Sequence, residues 1–298
     1  MKIAIVTGSS TGIGFATAEA LARAGHDVFA TMRDPGRAPA LGELASRDRL
    51  PITVMAMDVD SDDSVVQTIG EVLRRRGRID VLVNNAGIGG LGAVEETPLA
   101  DFRQVMETNY FGTLRCIQAV LPAMRAARAG LIVNVTSVAG RLASGGQSAY
   151  CASKFATEAM SESLAAEVKA HGIRVAIVEP GVIATPIFGK QSHLTASSAY
   201  PQAGRLRAFF AACLEERPVP PSLVGEAIRD IVASDSWTLR HPVGPDAVPA
   251  LQWRASQTDE TFVNGGAVSE EEWCAGMEQG FGLNVRKHLA AFASAKPA

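Results

Sequence analysis

Six short runs of branched and other apolar residues punctuate the first 180 positions: Ile3–Val6, Val28–Met32, Ile52–Met57, Val81–Asn84, Leu131–Val135 and Val175–Val178. Between most of them lie stretches with helical spacing, at Gly14–Ala24, Ser64–Arg76, Leu99–Ala127 and Ala149–His171. A strand apolar along its length must be covered on both faces. A helix between two strands returns the chain to begin the next in the same direction. The alternation therefore predicts an α/β fold with a parallel sheet and helices on both faces. Several helix ends are marked. Ser61 precedes two aspartates that suit a helix N-terminus, Pro98 follows Thr97 where a first helical residue needs no N–H, and Gly172 after His171 closes a helix.

After Gly181 the pattern loosens. Residues 182–204 carry Pro, Gly, Ser and Thr without a clear period and read as a loop. Helical spacing returns at Leu206–Glu216 and Ser222–Ala233, and a last strand is expected at Thr238–Val243. The tail from Asp246 reads as two helical pieces, the second opened by the capping box Ser269-Glu270-Glu271-Glu272. No repeat or linker divides the chain, so residues 1–298 are expected to form one domain. Its core would span 1–181, a loop with helices and last strand 182–245, and a C-terminal extension 246–298.

Composition excludes other classes. With 47% apolar and 20% charged residues the chain is an ordinary globular one. A net charge of −3 and a pI near 6.0 give no pull toward nucleic acid or an anionic membrane. The run Arg74-Arg75-Arg76 reads as cations closing a helix. Cys116, Cys151, Cys213 and Cys274 lie far apart without a C-x-x-C pair, so no metal site is expected and free thiols suit a reducing compartment. The first strand meets Gly8 too soon for a signal peptide, and no apolar run nears the roughly 18 residues of a spanning helix. A cytoplasmic protein is the expectation.

Between the first strand and the first helix stands Thr7-Gly8-Ser9-Ser10-Thr11-Gly12-Ile13-Gly14. Glycines there permit a tight turn and let backbone N–H groups approach a pyrophosphate on the positive helix end. A glycine turn alone is as often packing as phosphate binding; its place at the start of a βαβ pattern favours a dinucleotide. Tyr150 and Lys154 share a helix face at i, i+4 spacing, in a chain with three tyrosines. A free phenol has a pKa of about 10, and a nearby ammonium can lower it by about 1–3 units, which suits an acid/base near neutrality.

The Gly-x-x-x-Gly-Ile-Gly spacing resembles the short-chain dehydrogenase/reductase family, and further family motifs follow in order over about 190 residues. These are Asn84-Asn85-Ala86-Gly87 after the fourth strand, Asn109, Ser137 after the fifth, Tyr150-Cys151-Ala152-Ser153-Lys154, and Pro180-Gly181 followed by Thr185. The resemblance implies a Rossmann fold of about seven strands in the order 3-2-1-4-5-6-7, with a C-terminal helical extension. It implies hydride transfer between a nicotinamide cofactor and a ketone or aldehyde/alcohol pair. Tyr150 would be the general acid/base, Lys154 would lower its pKa and bind ribose, Ser137 would hold the substrate oxygen, and Asn109 would support a proton relay through a water. The cofactor would touch Gly8, Ser10, Thr11, Gly12, Ile13, Gly14, Asp58, Val59, Asn85, Ala86, Gly87, Tyr150, Lys154, Pro180, Gly181, Ile183 and Thr185. A homodimer or homotetramer through Leu99–Ala127 and Ala149–His171 is also implied.

The end of the second strand bears on which cofactor. Met32 stands where an acid would grip the ribose diol of NAD, and Arg33 follows, suited to a 2′-phosphate. NADP(H) is therefore preferred over NAD(H), although Thr11 is not basic and Asp34 lies nearby. For the substrate, Leu91, Val94, Leu142, Ile187, Phe188, Tyr200, Leu206, Phe209, Phe210 and Trp253 point to an apolar ketone or alcohol, with Arg141, Lys190, Arg205 and Arg207 expected to face water. The segment Ala30–Asp34 and the long tail resemble members acting on hydroxysteroids and retinol. His193 and His241 read as structural, and Glu95-Glu96 as a solvated pair. The alternative is a non-catalytic dinucleotide sensor on the same fold, although such a sensor has no need of Ser137, Tyr150 and Lys154 together.

Overall fold

A computed structural model describes residues 1–189 and 198–294. Its elements alternate as β1 (Ile3–Thr7), α1 (Gly12–Arg23), β2 (Asp27–Met32), α2 (Ala40–Asp48), β3 (Ile52–Ala56), α3 (Asp62–Arg76) and β4 (Val81–Asn84). There follow α4 (Leu99–Met106), α5 (Gly112–Ala127), β5 (Gly130–Val135), α6 (Ser148–Val168), β6 (Ile173–Pro180), α7 (Pro201–Glu216), α8 (Ser222–Ala233) and β7 (Arg240–Val243). The extension holds α9 (Ala247–Ser256), α10 (Asp259–Asn264), α11 (Glu270–Phe281) and α12 (Arg286–Ser294).

The strands form one parallel sheet in the order β3-β2-β1-β4-β5-β6-β7, as expected. The order turns back between β1 and β4, so the connections leave to opposite faces there and open a crevice at the carboxyl ends of the strands. Strand periodicity divides the core in two. Ala4, Val6, Val28, Ala30, Val81 and Val83 meet Leu21 of α1, Leu41 of α2 and Ile228 of α8. Ile3, Ile5, Phe29 and Leu82 meet Ile69 of α3, Ile117 and Val120 of α5 and Leu164 of α6. Successive side chains of a strand thus enter opposite cores, which is why the runs read as continuously apolar.

The structure departs from the sequence expectations in five places. Helix α2 was not foreseen: it has nine residues, follows Pro39, and ends on Arg49 in the left-handed region at φ 54°, so no common capping residue marks it. The single helix expected over Leu99–Ala127 is interrupted by a π turn at Glu107–Phe111, where the Gly112 N–H reaches back to the Glu107 carbonyl. One inserted residue of this kind is invisible to a 3.6-residue period. Helix α7 begins at Pro201 rather than Leu206, because Pro201 is preorganised for a first-turn position. Strand β7 begins at Arg240, two residues late. The tail forms four helices instead of two pieces, and only α11 opens with the foreseen Ser269–Glu272 capping box. A small separate core of Ala212, Cys274, Leu283 and Val285 ties α11 and α12 to α7.

Ser61 caps α3 as expected, its Oγ accepting from the Ser64 N–H at 3.3 Å. Ser61→Ala should cost about 1 kcal/mol in denaturant unfolding, without effect on any ligand.

Candidate active site

The glycine turn meets β4 through two residues. Thr7 Oγ1 accepts from the Asn85 and Ala86 backbone N–H groups, both at 3.0 Å. Asn85 Nδ2 donates to the carbonyls of Thr7 and Gly8 at 2.9 and 3.1 Å. Gly8 has φ +67°, and a Cβ there would lie 2.7 Å from Ala86 Cα. A Cβ on Gly14 would lie 2.4 Å from both Asn85 Nδ2 and the Gly8 carbonyl oxygen. The turn is therefore drawn tight against β4. Helix α1 starts without a side-chain cap on Thr11 and without an acid in its first turn, so its N-terminal donors are left for an anion. Thr185 packs against Gly12 from the far side. This cradle fits a dinucleotide pyrophosphate between Gly8, Ser10, Thr11, Gly12, Ile13 and Gly14.

At the end of β2, Met32 is buried and Arg33 is exposed. Arg33 makes no ion pair or hydrogen bond among the described residues. Asp34 is occupied by its own turn: Oδ1 accepts from the Gly36 and Arg37 N–H groups at 3.0 and 3.3 Å, and Arg37 lies 3.7 Å away. After β3, the Asp58 N–H donates to Ser64 Oγ and its Oδ1 accepts from the Asp60 N–H at 3.1 Å, while Val59 packs on Gly112. The Asp58 carboxylate thus has a loop-closing role of its own.

The candidate residues Ser137, Tyr150 and Lys154 come from the turn after β5 and from α6. Ser137 follows β5 in extended backbone; its Oγ accepts from the Ala139 N–H at 3.1 Å and lies 3.3 Å from the Pro180 carbonyl at the end of β6. The Ser137 hydroxyl stands beside the Tyr150 phenol. Burial pushes the Tyr150 phenol well above its usual value, and the Ser137 hydroxyl pulls it partly back. Lys154 is buried; its Nζ donates to the Val135 carbonyl at 2.9 Å and stands 5.5 Å from the centre of the Tyr150 ring. Burial lowers its pKa to about 8, against the opposing charge of Glu158.

Asn109 sits in the π turn and its side chain is fully engaged. Oδ1 accepts from the Ile88 N–H at 2.8 Å, and Nδ2 donates to the Ile88 carbonyl and to Ser153 Oγ, both at 3.0 Å. It pins the segment after Gly87 to α6. Gly181 donates to the Val243 carbonyl, and Val182 to Asp246 Oδ2 at 2.8 Å, so the first residue before α9 supports the Pro180–Gly181 turn. Ile183 is buried beside it.

Other expectations shift. Arg205 does not face water: it is 8% exposed, donates to the Val268 carbonyl at 3.0 Å and stacks near Trp273, because α7 is covered by the extension. Arg141 is drawn to Glu179 at 3.4 Å. Glu95 and Glu96 are engaged rather than merely solvated: Glu95 accepts from the Tyr200 hydroxyl, and Glu96 from Ser198 Oγ at 2.6 Å. Trp253 is exposed and packs on Phe262. His241 Nε2 is 2.9 Å from the Thr238 carbonyl; Lys190 and His193 lie outside the described residues. Sequence reading missed Thr7, Ser153, Glu158 and Asp246 as supports of the site. The visible signal for the first three was a polar residue inside an otherwise small or apolar run.

Residues 2–195 match the family profile described as short chain dehydrogenase. The 3-ketodihydrosphingosine reductase of Bacteroides thetaiotaomicron is 37% identical over 247 residues, covering 82% of this chain and 88% of that protein. Bos taurus retinol dehydrogenase 8 is 40% identical over 205 residues, 67% of this chain and 65% of its own. The solved alcohol dehydrogenase of the archaeon Thermococcus sibiricus, complexed with 5-hydroxy-NADP, superposes with a TM-score of 0.69 at 26% identity, covering 81% of this chain and 95% of the other. Glycine turn, crevice and hydroxyl pair agree with these likenesses: the chain belongs to the short-chain dehydrogenase/reductase family of oxidoreductases, with an NAD(P)-binding Rossmann fold.

Proposed function

We propose that this protein is an NADP(H)-dependent oxidoreductase that interconverts an apolar ketone or aldehyde and its alcohol, with Tyr150 as general acid/base. The observation that carries the reading is the placement of the Ser137 hydroxyl and the Tyr150 phenol together beside buried Lys154, at the crevice that the glycine turn borders. Bound NADP(H) supplies or accepts the hydride. The chain's own part is to hold the substrate oxygen and move one proton. Ser137 Oγ donates to that oxygen, where negative charge develops during reduction. Tyr150, raised by burial, is a phenol at neutral pH and is in the form that donates its proton to a carbonyl. Lys154, with a pKa of about 8, is an ammonium at neutral pH. With its side chain committed, Asn109 contributes to a proton relay through its main-chain carbonyl, the atom that also accepts from Thr113 Oγ1 at 2.9 Å.

Residues for the remaining cofactor contacts follow the cradle: Asp58 and Val59 at the adenine end, Asn85, Ala86 and Gly87 along its middle, and Pro180, Gly181, Ile183 and Thr185 at the nicotinamide end. The free Arg33 guanidinium suits a 2′-phosphate, and Asp34 is spent on its own turn, which favours NADP(H) over NAD(H). Arg33→Ala should weaken NADPH binding about tenfold or more while leaving NADH within about twofold, read by fluorescence titration. Equal losses for both would end the preference.

Apolar surface supports the substrate class. The Phe188 and Phe210 rings meet at 4.8 Å between centres, one after β6 and one on α7, and two relatives are named for lipid-like ketone and alcohol substrates. A panel of long-chain ketones and alcohols, followed by NADPH absorbance, tests the whole reading. Cofactor binding without turnover across the panel would favour a sensor. Exposed Leu99, Phe111 and Phe155 on α4, the π turn and α6 support a homodimer or homotetramer through these helices, to be measured by sedimentation. No helix among the described residues is long and apolar enough to cross a membrane.

A further inference from the structure

Behind the Ser137–Tyr150 pair lies a group of charges that the chemistry above does not use. Glu158 stands one helical turn after Lys154 on α6 and is 4% exposed; Glu179, near the end of β6, is fully buried. Arg240 opens β7, 82 residues after Glu158, and donates Nε to Glu158 Oε2 at 3.0 Å. It also reaches Glu162 at 3.0 Å and lies 3.8 Å from Glu179 Oε1, the oxygen that Arg141 approaches at 3.4 Å. The other Glu158 oxygen, Oε1, accepts from Thr136 Oγ1 at 2.6 Å. Thr136 is the residue between Val135, whose carbonyl holds Lys154, and Ser137, which stands beside Tyr150. Packing leaves this carboxylate little freedom: a Cβ on Gly140 would lie 2.9 Å from Glu158 Cγ and 3.2 Å from the Lys154 carbonyl.

We propose that Glu158, braced by Arg240, is a positioning residue that sets the Lys154 ammonium and the Ser137 hydroxyl in register with Tyr150, coupling the last strand of the sheet to the proton-transfer site. The consequence for turnover rests on the roles assigned to these three residues above; the placement of Lys154 does not. A buried carboxylate without compensation is costly, and here every compensating group comes from an element that carries or adjoins the site. The groups facing Glu158 are Lys154 and Glu162 on α6, Thr136 after β5, Glu179 on β6 and Arg240 on β7. Removing its negative charge leaves Arg240 with Glu162 and Glu179 alone, so its positive charge is less fully balanced. Both changes disfavour the ammonium, so Lys154 loses its proton at lower pH.

The test titrates Lys154 directly in the cofactor-free protein, by NMR of biosynthetically 13C-labelled lysine, with Lys154→Arg identifying its resonance. Glu158→Gln should lower the Lys154 midpoint by about one pH unit, Glu158→Asp should restore it, and adding Arg240→Gln to Glu158→Gln should recover half the shift or more. An unmoved midpoint in folded Glu158→Gln protein, or no recovery on removing Arg240, overturns the proposal. Should Glu158→Gln not fold, Arg240→Gln alone decides: the midpoint must rise, and a fall or no change overturns the proposal. In the active enzyme the alkaline limb of kcat/KM should move with the midpoint, whereas a purely structural loss lowers the rate at every pH. A midpoint that moves without the limb supports the positioning of Lys154 and overturns its part in the proposed chemistry.

Discussion

Tyr150→Phe is expected to slow turnover by about 10²–10⁴-fold while NADPH binding changes by less than about threefold. The substitution removes one oxygen and keeps the ring, so the packing around Lys154 and the nearby cradle is preserved. What disappears is the phenol beside Ser137 that the proposed chemistry uses as its proton donor. A drop of this size corresponds to about 3–5 kcal/mol of transition-state stabilisation, more than one ordinary hydrogen bond contributes. Near-normal turnover in the variant would place the chemistry elsewhere. The burial that raises the phenol also fixes a direction: the variant should lose ketone reduction and alcohol oxidation alike, but in the native enzyme reduction should tolerate low pH better than oxidation. Reduction uses the protonated phenol, present below its pKa, and oxidation needs the phenolate.

The second large effect is structural. Gly14→Ala should destabilise the fold by about 1–3 kcal/mol and weaken NADPH binding by about tenfold or more, measured by urea unfolding and by fluorescence titration. The new methyl would stand 2.4 Å from the Gly8 carbonyl oxygen and from Asn85 Nδ2, neither of which is the loose end of a flexible chain. Either α1 moves away from β4 or the Asn85 bonds to Thr7 and Gly8 break, and each opens the cradle. Gly70→Ala provides the contrast. It lies inside α3 with nothing within 4 Å of its added Cβ, so it should stabilise the protein by about 0.5–1 kcal/mol through helix propensity and leave binding untouched. If both variants behave alike, close approach is not what Gly14 provides.

Much of the scaffold could be read from local rules. The six apolar runs became β1 to β6 within two residues at each end, and the caps at Ser61 and Ser269 formed as their side-chain chemistry requires. Helix α2 escaped because its boundaries rest on Pro39 and a left-handed Arg49, neither a usual marker, while Leu41 and Leu44 hold it by tertiary packing. The π turn escaped for a different reason. Within it Asn109 reaches Ile88 and Ser153 at once, partners that come from the segment after β4 and from α6 rather than from its own helix.

The site divides along the same line. Ser137, Tyr150, Lys154 and the glycine turn were legible because their chemistry depends on residue type and short spacing. Their working states were not. That Lys154 rests on the Val135 carbonyl, that Ser137 stands beside the phenol, and that Asp34 closes its own turn are matters of packing. Glu158 and Arg240 meet across 82 residues, and no periodicity announces such a pair. By itself the sequence determined the order of the elements, the glycine turn and the candidate reactive groups, because each follows from backbone preference or side-chain chemistry within a few residues. Only the tertiary structure decided which of those groups share hydrogen bonds, which charges are buried, and which last strand stands behind the proton donor, because desolvation and long-range pairing exist only once the chain has closed.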